Sequence, residues 1–181
     1  MKSLVVSSLL IAVSSASFAS PFVVDAYLNS STGGTGLATV ALNAGDAFSV
    51  TASTDDLWSL GDLPRYSDAD GLTGVRLATA TDDSGQPIGT QIGANFGTRT
   101  QGGLTAAFGT LVGRIDTGDF FLIGTNYNGV AAASGTLYLY CFDSNFEDNT
   151  GRITADVEAV PEPGTMAALG LGLAALRRRR R

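Results

Sequence analysis

The sequence predicts an all-β protein whose central part is a single antiparallel β-sandwich of the jelly-roll kind. First, the 181 residues include 23 glycines, which indicate many turns. Second, short stretches of alternating apolar and polar residues recur between these turns, as expected of half-buried strands. Third, no helical periodicity extends beyond two turns outside the chain ends, which argues against parallel α/β folds.

Each predicted strand is a short alternating or apolar stretch that ends at a turn. In chain order the predicted strands are 22–28, 36–42, 48–52, 111–115, 120–123, 136–142 and 153–157. Glycine, asparagine and aspartate supply the turns at 43–46 and 116–118. Residues 54–110 lack comparable alternation, so loops are expected to dominate there, and long ordered loops in a sandwich commonly carry function.

The composition excludes several classes of function. The chain has no histidine and one cysteine, so it can form neither a Ser-His-Asp triad nor an intramolecular disulfide. Cys141 is expected to be a buried thiol, with an intermolecular disulfide as the alternative. No G-x-S-x-G motif occurs, and nothing singles out two carboxylates as a glycosidase pair. The protein is therefore expected not to be an enzyme.

Charge is distributed unevenly along the chain. Five arginines and 16 acidic residues lie between residues 20 and 159, which gives this segment a net charge of −11. Such a surface repels phosphate backbones, so nucleic acid is not expected as a partner. The same charge suits divalent cations, although solubility alone could also explain it.

The N-terminus has the three parts of a secretory signal peptide. Lys2 is the positive residue, residues 4–13 are apolar, and small residues at 17 and 19 predict cleavage by signal peptidase after Ala19. The alternative is a short core helix of a cytosolic domain. Residues 1–19 are thus predicted to be removed on export.

The C-terminus has three parts in a fixed order. An extended Pro-Glu-Pro segment precedes an apolar run at 166–176, and a basic block ends the chain. The residues that carry this pattern are Val160, Pro161, Glu162, Pro163, Arg177, Arg178 and Arg179. The pattern resembles a PEP-CTERM sorting signal, which exosortases of the bacterial envelope recognise. The resemblance implies cleavage near this segment, transient anchoring in the inner membrane through a C-terminal helix, and release to the cell surface or the extracellular space.

The apolar run of this tail is short for a membrane span. Its 11 residues would extend about 16 Å as a helix, whereas the hydrocarbon core of a bilayer is roughly 30 Å thick. The alternative is a basic amphiphilic tail that lies on a membrane surface. The predicted organisation is a signal peptide at 1–19, a sandwich at 20–159 and a sorting signal at 160–181.

One loop between predicted strands is rich in oxygen ligands. Residues 143–151 offer three carboxylates and two amides within seven residues, the ligand type that calcium prefers. The alternative is a hairpin loop whose side chains satisfy the local backbone.

Residues 37–158 contain a series of turn and strand motifs in a characteristic order. These motifs are Gly45-Asp46, Trp58, Asp70-Gly71, 111–115, 135–139 and 143–151. In this order they resemble the PA-IL-like (LecA-type) galactophilic lectins. The resemblance implies a calcium ion that bridges to a sugar. Its ligands would be Asp143, Asp148, Asn149 and the carbonyl of Leu60.

The same resemblance indicates which residues would face the sugar. Ser67 and Asp70 stand where those lectins have sugar-contacting residues, so galactose specificity itself is not carried over. Trp58 is either a platform for stacking on a sugar ring or a core residue. The expected function is calcium-dependent binding of a carbohydrate or exopolysaccharide at the cell surface; the alternative is a structural surface or biofilm-matrix protein without a discrete ligand.

Overall fold

The computed structural model describes residues 19–160, and this part of the chain contains strands, turns and loops but no helix. The strands are β1 (Ser20–Asp25), β2 (Leu37–Leu42), β3 (Ala47–Ala52), β4 (Trp58–Leu60), β5 (Tyr66–Ser67), β6 (Arg76–Leu77), β7 (Gln91–Gly93), β8 (Thr98–Gln101), β9 (Leu104–Ala107), β10 (Thr110–Ile115), β11 (Phe121–Leu122), β12 (Asn126–Val130), β13 (Gly135–Phe142) and β14 (Asn149–Val160).

Two antiparallel sheets form the body of the described region. The larger has the order β12-β3-β14-β4-β5, with β1 also paired to β14, and the smaller has the order β11-β10-β13-β2. The hairpins β6–β7 and β8–β9 stand apart from both sheets. All pairs of strands are antiparallel, so the predicted all-β class and antiparallel sandwich are confirmed.

The core lies between the two sheets. Val50 and Ile153 from the larger sheet pack in one cluster with Leu111 and Leu139 from the smaller one, and all four side chains are fully buried. Burying an apolar side chain of this size stabilises the fold by about 1.5–3 kcal/mol relative to leaving it exposed. Cys141 belongs to the same cluster as a free cysteine, which confirms the predicted buried thiol.

The strand predictions hold where apolar alternation is strong. All seven predicted strands overlap observed ones, but β14 begins at Asn149 instead of residue 153 because the end of the acidic loop pairs with β4. The region 54–110 contains six strands of two to four residues, which are too short for a clear alternating pattern. β12 (NYNGV) was also not predicted, because Tyr127 is the only large apolar residue on its inward face.

β14 connects the two ends of the larger sheet. Its first residues, 149–151, pair with β4, and its last residues, 155–160, pair with β3. Ser20 lies opposite Val157, so both ends of the described chain lie near the C-terminal half of β14. None of the residues 19–160 forms a helix that is long and apolar enough to cross a membrane. The predicted signal peptide up to residue 18 and the predicted sorting helix lie outside the described residues.

Candidate functional site

A cleft of about 200 Å³ opens beside the loop that joins β13 to β14. Its apolar lining residues are Leu60, Leu72, Phe96 and Phe108, and its polar ones are Arg65, Asp143, Ser144, Asn145 and Asp148. Three of the four predicted calcium ligands thus line one cavity. We refer to it below as the Asp143 cleft.

Asp143 follows the last residue of β13 and is buried, with 6% of its surface exposed. Burial raises the pKa of its carboxyl group, and the negative charge of Asp148 raises it further. Hydrogen bonds from the Ser144 backbone, the Asn149 side chain and the Asn145 backbone oppose this shift without cancelling it. The ionised carboxylate is therefore held in a place where its charge is unfavourable.

Asn149 is the first residue of β14 and lies directly opposite Leu60 in the register of β14 and β4. Only 4% of its surface is exposed. Its Nδ2 donates a hydrogen bond of 3.2 Å to the carbonyl of Ala26, but its Oδ1 has no hydrogen-bond partner among the described residues. A buried acceptor left in this state costs about 1–3 kcal/mol.

The approach of Asp148 to the turn after β4 depends on Gly61. Its φ of +118° is rarely adopted by residues with a side chain, and a Cβ there would lie 2.6 Å from Asp148 Oδ2 and 3.2 Å from Arg65 Nη1. The missing side chain lets Asp148 approach the turn after β4. Asp148 Oδ1 accepts a hydrogen bond of 2.9 Å from Asn145 Nδ2, which holds the carboxylate within the loop.

The donor set of the cleft suits calcium better than a transition metal. Within residues 19–160, no three histidine, cysteine, aspartate or glutamate side chains are grouped so that they could hold a metal ion. A cation here would depend on the carboxylates of Asp143 and Asp148, the Leu60 carbonyl and the unpartnered Asn149 Oδ1. Calcium accepts such a mixture of carboxylate, amide and carbonyl oxygens and completes its six to eight ligands with further carbonyls, water or ligand hydroxyls.

Two of the residues considered for sugar contact, Trp58 and Ser67, are buried. Trp58 has no exposed surface, and its Nε1 donates to Gly109 O at 2.8 Å and to Ser67 Oγ at 3.2 Å. Ser67 is also buried. The core alternative therefore describes Trp58, and the predicted sugar contact of Ser67 finds no support, because both side chains are buried in the interior of the sheet.

Asp70 is exposed, but it does not line the Asp143 cleft. Its carboxylate accepts hydrogen bonds from the backbone N–H of Thr125 at 2.7 Å and from the Thr125 hydroxyl. It lines a separate depression formed mainly by residues 66–76. The side chain thus connects two loops outside the Asp143 cleft, and its contact with a sugar stays a prediction.

Two residues of the cleft were missed in the sequence. Phe96 is 40% exposed, and the Arg65 guanidinium carbon lies 5.2 Å from the centre of its ring. An aromatic residue within the glycine-rich stretch 93–103 is a weak signal of an exposed binding surface. Arg65 has no local signal, because only the turn between β4 and β5 brings it back towards Leu60.

The predicted processing residues lie at or beyond the two ends of the described chain. Ala19 is exposed and immediately precedes β1. Val160 is the last residue of β14 and pairs with Ala47. The remaining sorting residues, from Pro161 to Arg179, lie outside the described residues.

Similarity to known proteins is found in the strand region and at the C-terminal motif. No curated protein matches the chain. A solved structure described as "EclA N-terminal domain; PllA-like lectin" is similar over 77% of this chain and 94% of that one, with a TM-score of 0.46 and 20% sequence identity. The model of the PEP-CTERM protein-sorting motif matches residues 159–181. The predicted signal is therefore confirmed: the chain carries a PEP-CTERM sorting motif that begins in the last two residues of β14.

Proposed function

We propose that this protein is exported, is processed by an exosortase at its C-terminal motif, and binds carbohydrate through a calcium ion held in the Asp143 cleft. The observation that carries the binding role is a buried carboxylate beside a buried amide oxygen without a partner, next to an open cleft. The role is one of binding and not of catalysis.

The electrostatics of the cleft support a cation ligand. Asp143 and Asp148 repel each other, and the Asn149 oxygen lacks a donor. A divalent cation among these oxygens would offset both costs. Proteins tolerate such local costs mainly at functional sites, where a ligand removes them.

The remaining walls of the cleft support a saccharide as the second ligand. A bound calcium ion supplies coordination positions that sugar hydroxyls can fill. Phe96 offers a half-exposed aromatic face at the same cleft, and such faces suit the C–H surface of a pyranose ring. We assign to Phe96 the stacking role that buried Trp58 cannot perform.

The position of the cleft agrees with a surface role. β14 is a strand of 12 residues that runs from Asn149, whose side chain contacts Asp143, to Val160, the second residue of the sorting motif. At about 3.3 Å per residue this separates the two ends of the strand by up to roughly 36 Å. The cleft is therefore near the end of β14 opposite the residues that begin the motif.

Thermal melting tests the cation proposal on residues 20–160, which contain every described strand and its pairing partners. We expect calcium to raise the melting temperature relative to EDTA, by an amount equivalent to about 2.7 kcal/mol at a hundredfold excess over the Kd. Asp148→Ala should abolish this rise. Asp119→Ala, which removes an exposed carboxylate outside the cleft, should retain it. No shift of the unsubstituted protein at millimolar calcium would refute the cation site.

A glycan array tests the saccharide proposal. The protein should bind saccharides in calcium and lose them in EDTA. Phe96→Ala should weaken binding by about two- to tenfold, the range expected for one aromatic contact. Ile88→Ala removes an exposed apolar side chain elsewhere and should have no effect. Calcium-dependent stabilisation without any bound glycan would reject the lectin role and favour a structural surface protein.

A further inference from the structure

One guanidinium nitrogen contacts two of the oxygens proposed to bind the cation. Arg65 Nη1 donates a hydrogen bond of 3.3 Å to Leu60 O and lies 3.6 Å from Asp148 Oδ2. Both oxygens belong to the proposed ligand set. The positive charge of Arg65 thus stands where a cation shared by these two oxygens would have to sit.

The backbone places Arg65 there. The N–H of Leu60 donates to the carbonyl of Arg65 at 3.0 Å, which folds the turn after β4 back on itself. Phe96 supports the guanidinium from one side, at 5.2 Å. The Arg65 and Asp148 side chains are each 44% exposed, so water can replace Asp148 as the partner of Arg65 at low cost.

We propose that Arg65 is an internal competitor for the cation, and that it sets the calcium affinity of the Asp143 cleft. This inference rests on the function proposed above. Arg65 must leave Leu60 O and Asp148 before these oxygens can bind a divalent ion. The fraction of molecules with Arg65 withdrawn therefore scales the apparent affinity, and the cleft fills only at calcium concentrations higher than its oxygens alone would require.

A second arginine, Arg99, distinguishes the effect of occupying the cation position from the effect of a nearby positive charge. Arg99 lies close enough to Asp143 for their charges to interact. However, it donates to Thr32 Oγ1 at 3.1 Å and stacks on Phe142, and it has no hydrogen bond or ion pair with Leu60 or Asp148. Replacing Arg99 removes a nearby positive charge without clearing the position between Leu60 O and Asp148.

Calcium titration by calorimetry of the unsubstituted protein, Arg65→Gln and Arg99→Gln tests the inference, with circular dichroism to check that each variant is folded. We expect Arg65→Gln to bind calcium at least about fivefold more tightly, since it removes an exposed ion pair and a like charge next to the ion. Arg99→Gln should have a smaller effect.

Three outcomes would overturn it. If the unsubstituted protein binds calcium and Arg65→Gln binds no more tightly, this inference fails while the proposed function stands. If Arg99→Gln tightens binding as much as Arg65→Gln, charge alone sets the affinity. If none of the three proteins binds calcium, the inference and the proposed cation site fail together.

Discussion

Two buried polar clusters lie on either side of β4, and they differ in how well their polar atoms are satisfied. At Trp58 the indole N–H has two acceptors, Gly109 O and Ser67 Oγ. At Asp143 and Asn149, by contrast, burial disfavours the carboxylate, and the amide oxygen has no hydrogen-bond partner within residues 19–160. Both clusters are buried, so burial by itself does not distinguish them.

This difference indicates which of the two clusters is suited to bind a ligand. A satisfied polar cluster stabilises one arrangement of the chain, and any ligand would have to break its hydrogen bonds. An unsatisfied cluster beside an open cleft lowers the stability of the fold, and a ligand that binds there can restore this stability. Trp58, for which the sequence leaves a stacking role and a core role open, belongs to the first cluster and is structural.

The largest effect on stability is expected from a substitution that disrupts the satisfied cluster at Trp58. Trp58→Ala should destabilise the protein by about 3–5 kcal/mol, because it leaves a cavity in the core and strips the indole donor from Gly109 O. Urea denaturation of residues 20–160 measures this. Trp58→Phe should cost less, since it fills most of the volume. A loss below about 1 kcal/mol for Trp58→Ala would contradict a structural role.

Relieving the unsatisfied cluster should have a smaller effect of the opposite sign. Asp143→Asn removes the buried charge but can still accept the 2.7 Å hydrogen bond from the Ser144 N–H. In EDTA near neutral pH we expect it to stabilise the protein by roughly 0.5–2 kcal/mol, the usual gain from removing one unfavourable feature. It should at the same time lose the stabilisation by calcium.

The pH dependence of this effect follows from the raised pKa of Asp143. A carboxyl group whose folded pKa lies above its ordinary value of 3.8 favours folding most below that value. This contribution is lost as the pH rises through the folded pKa. The advantage of Asp143→Asn should therefore vanish in acid, where both side chains are neutral. Destabilisation by Asp143→Asn in EDTA at neutral pH would show that the charge is already compensated.

The smallest effect on stability is expected for Asp83→Asn, which serves as a comparison for Asp143→Asn. The pKa of Asp83 is also raised, by burial and by the charge of Asp56, and its Oδ1 accepts a hydrogen bond of 2.8 Å from the Leu57 N–H. Asp83→Asn should raise stability above the folded pKa, and less than Asp143→Asn because Asp83 is largely exposed. Calcium stabilisation should be unchanged. Melting curves in EDTA and in calcium across pH measure both properties, and a loss of the calcium response would contradict the separation of the two sites.

The strands were predictable to the extent that one face of each meets the core. The stretch 136–142 alternates visibly, and it forms the buried centre of the smaller sheet as β13. The sequence names Asn149 as a calcium ligand, which stays a prediction. Its place inside a strand depends on Leu60, 89 positions earlier. No local pattern encodes such a pairing.

The sequence leaves open which aromatic residue faces the cleft for the same physical reason. Trp58 and Phe96 are both aromatic residues in a loop-rich region, and composition does not reveal which is exposed. Only packing against Gly109 buries one, and only the approach of Arg65 towards the other places it at the cleft.

By itself, the sequence determined the all-β class, the main strands and the sorting motif, because alternation, turn residues and a linear signal are properties of neighbouring residues. Tertiary structure decided which polar groups are satisfied and which are not. Whether Asp143, Asn149 and Leu60 share a site, and whether Arg65 sits between two of its oxygens, depends on contacts between residues far apart in the chain. Those distances arise only when the two sheets and the turn after β4 come together.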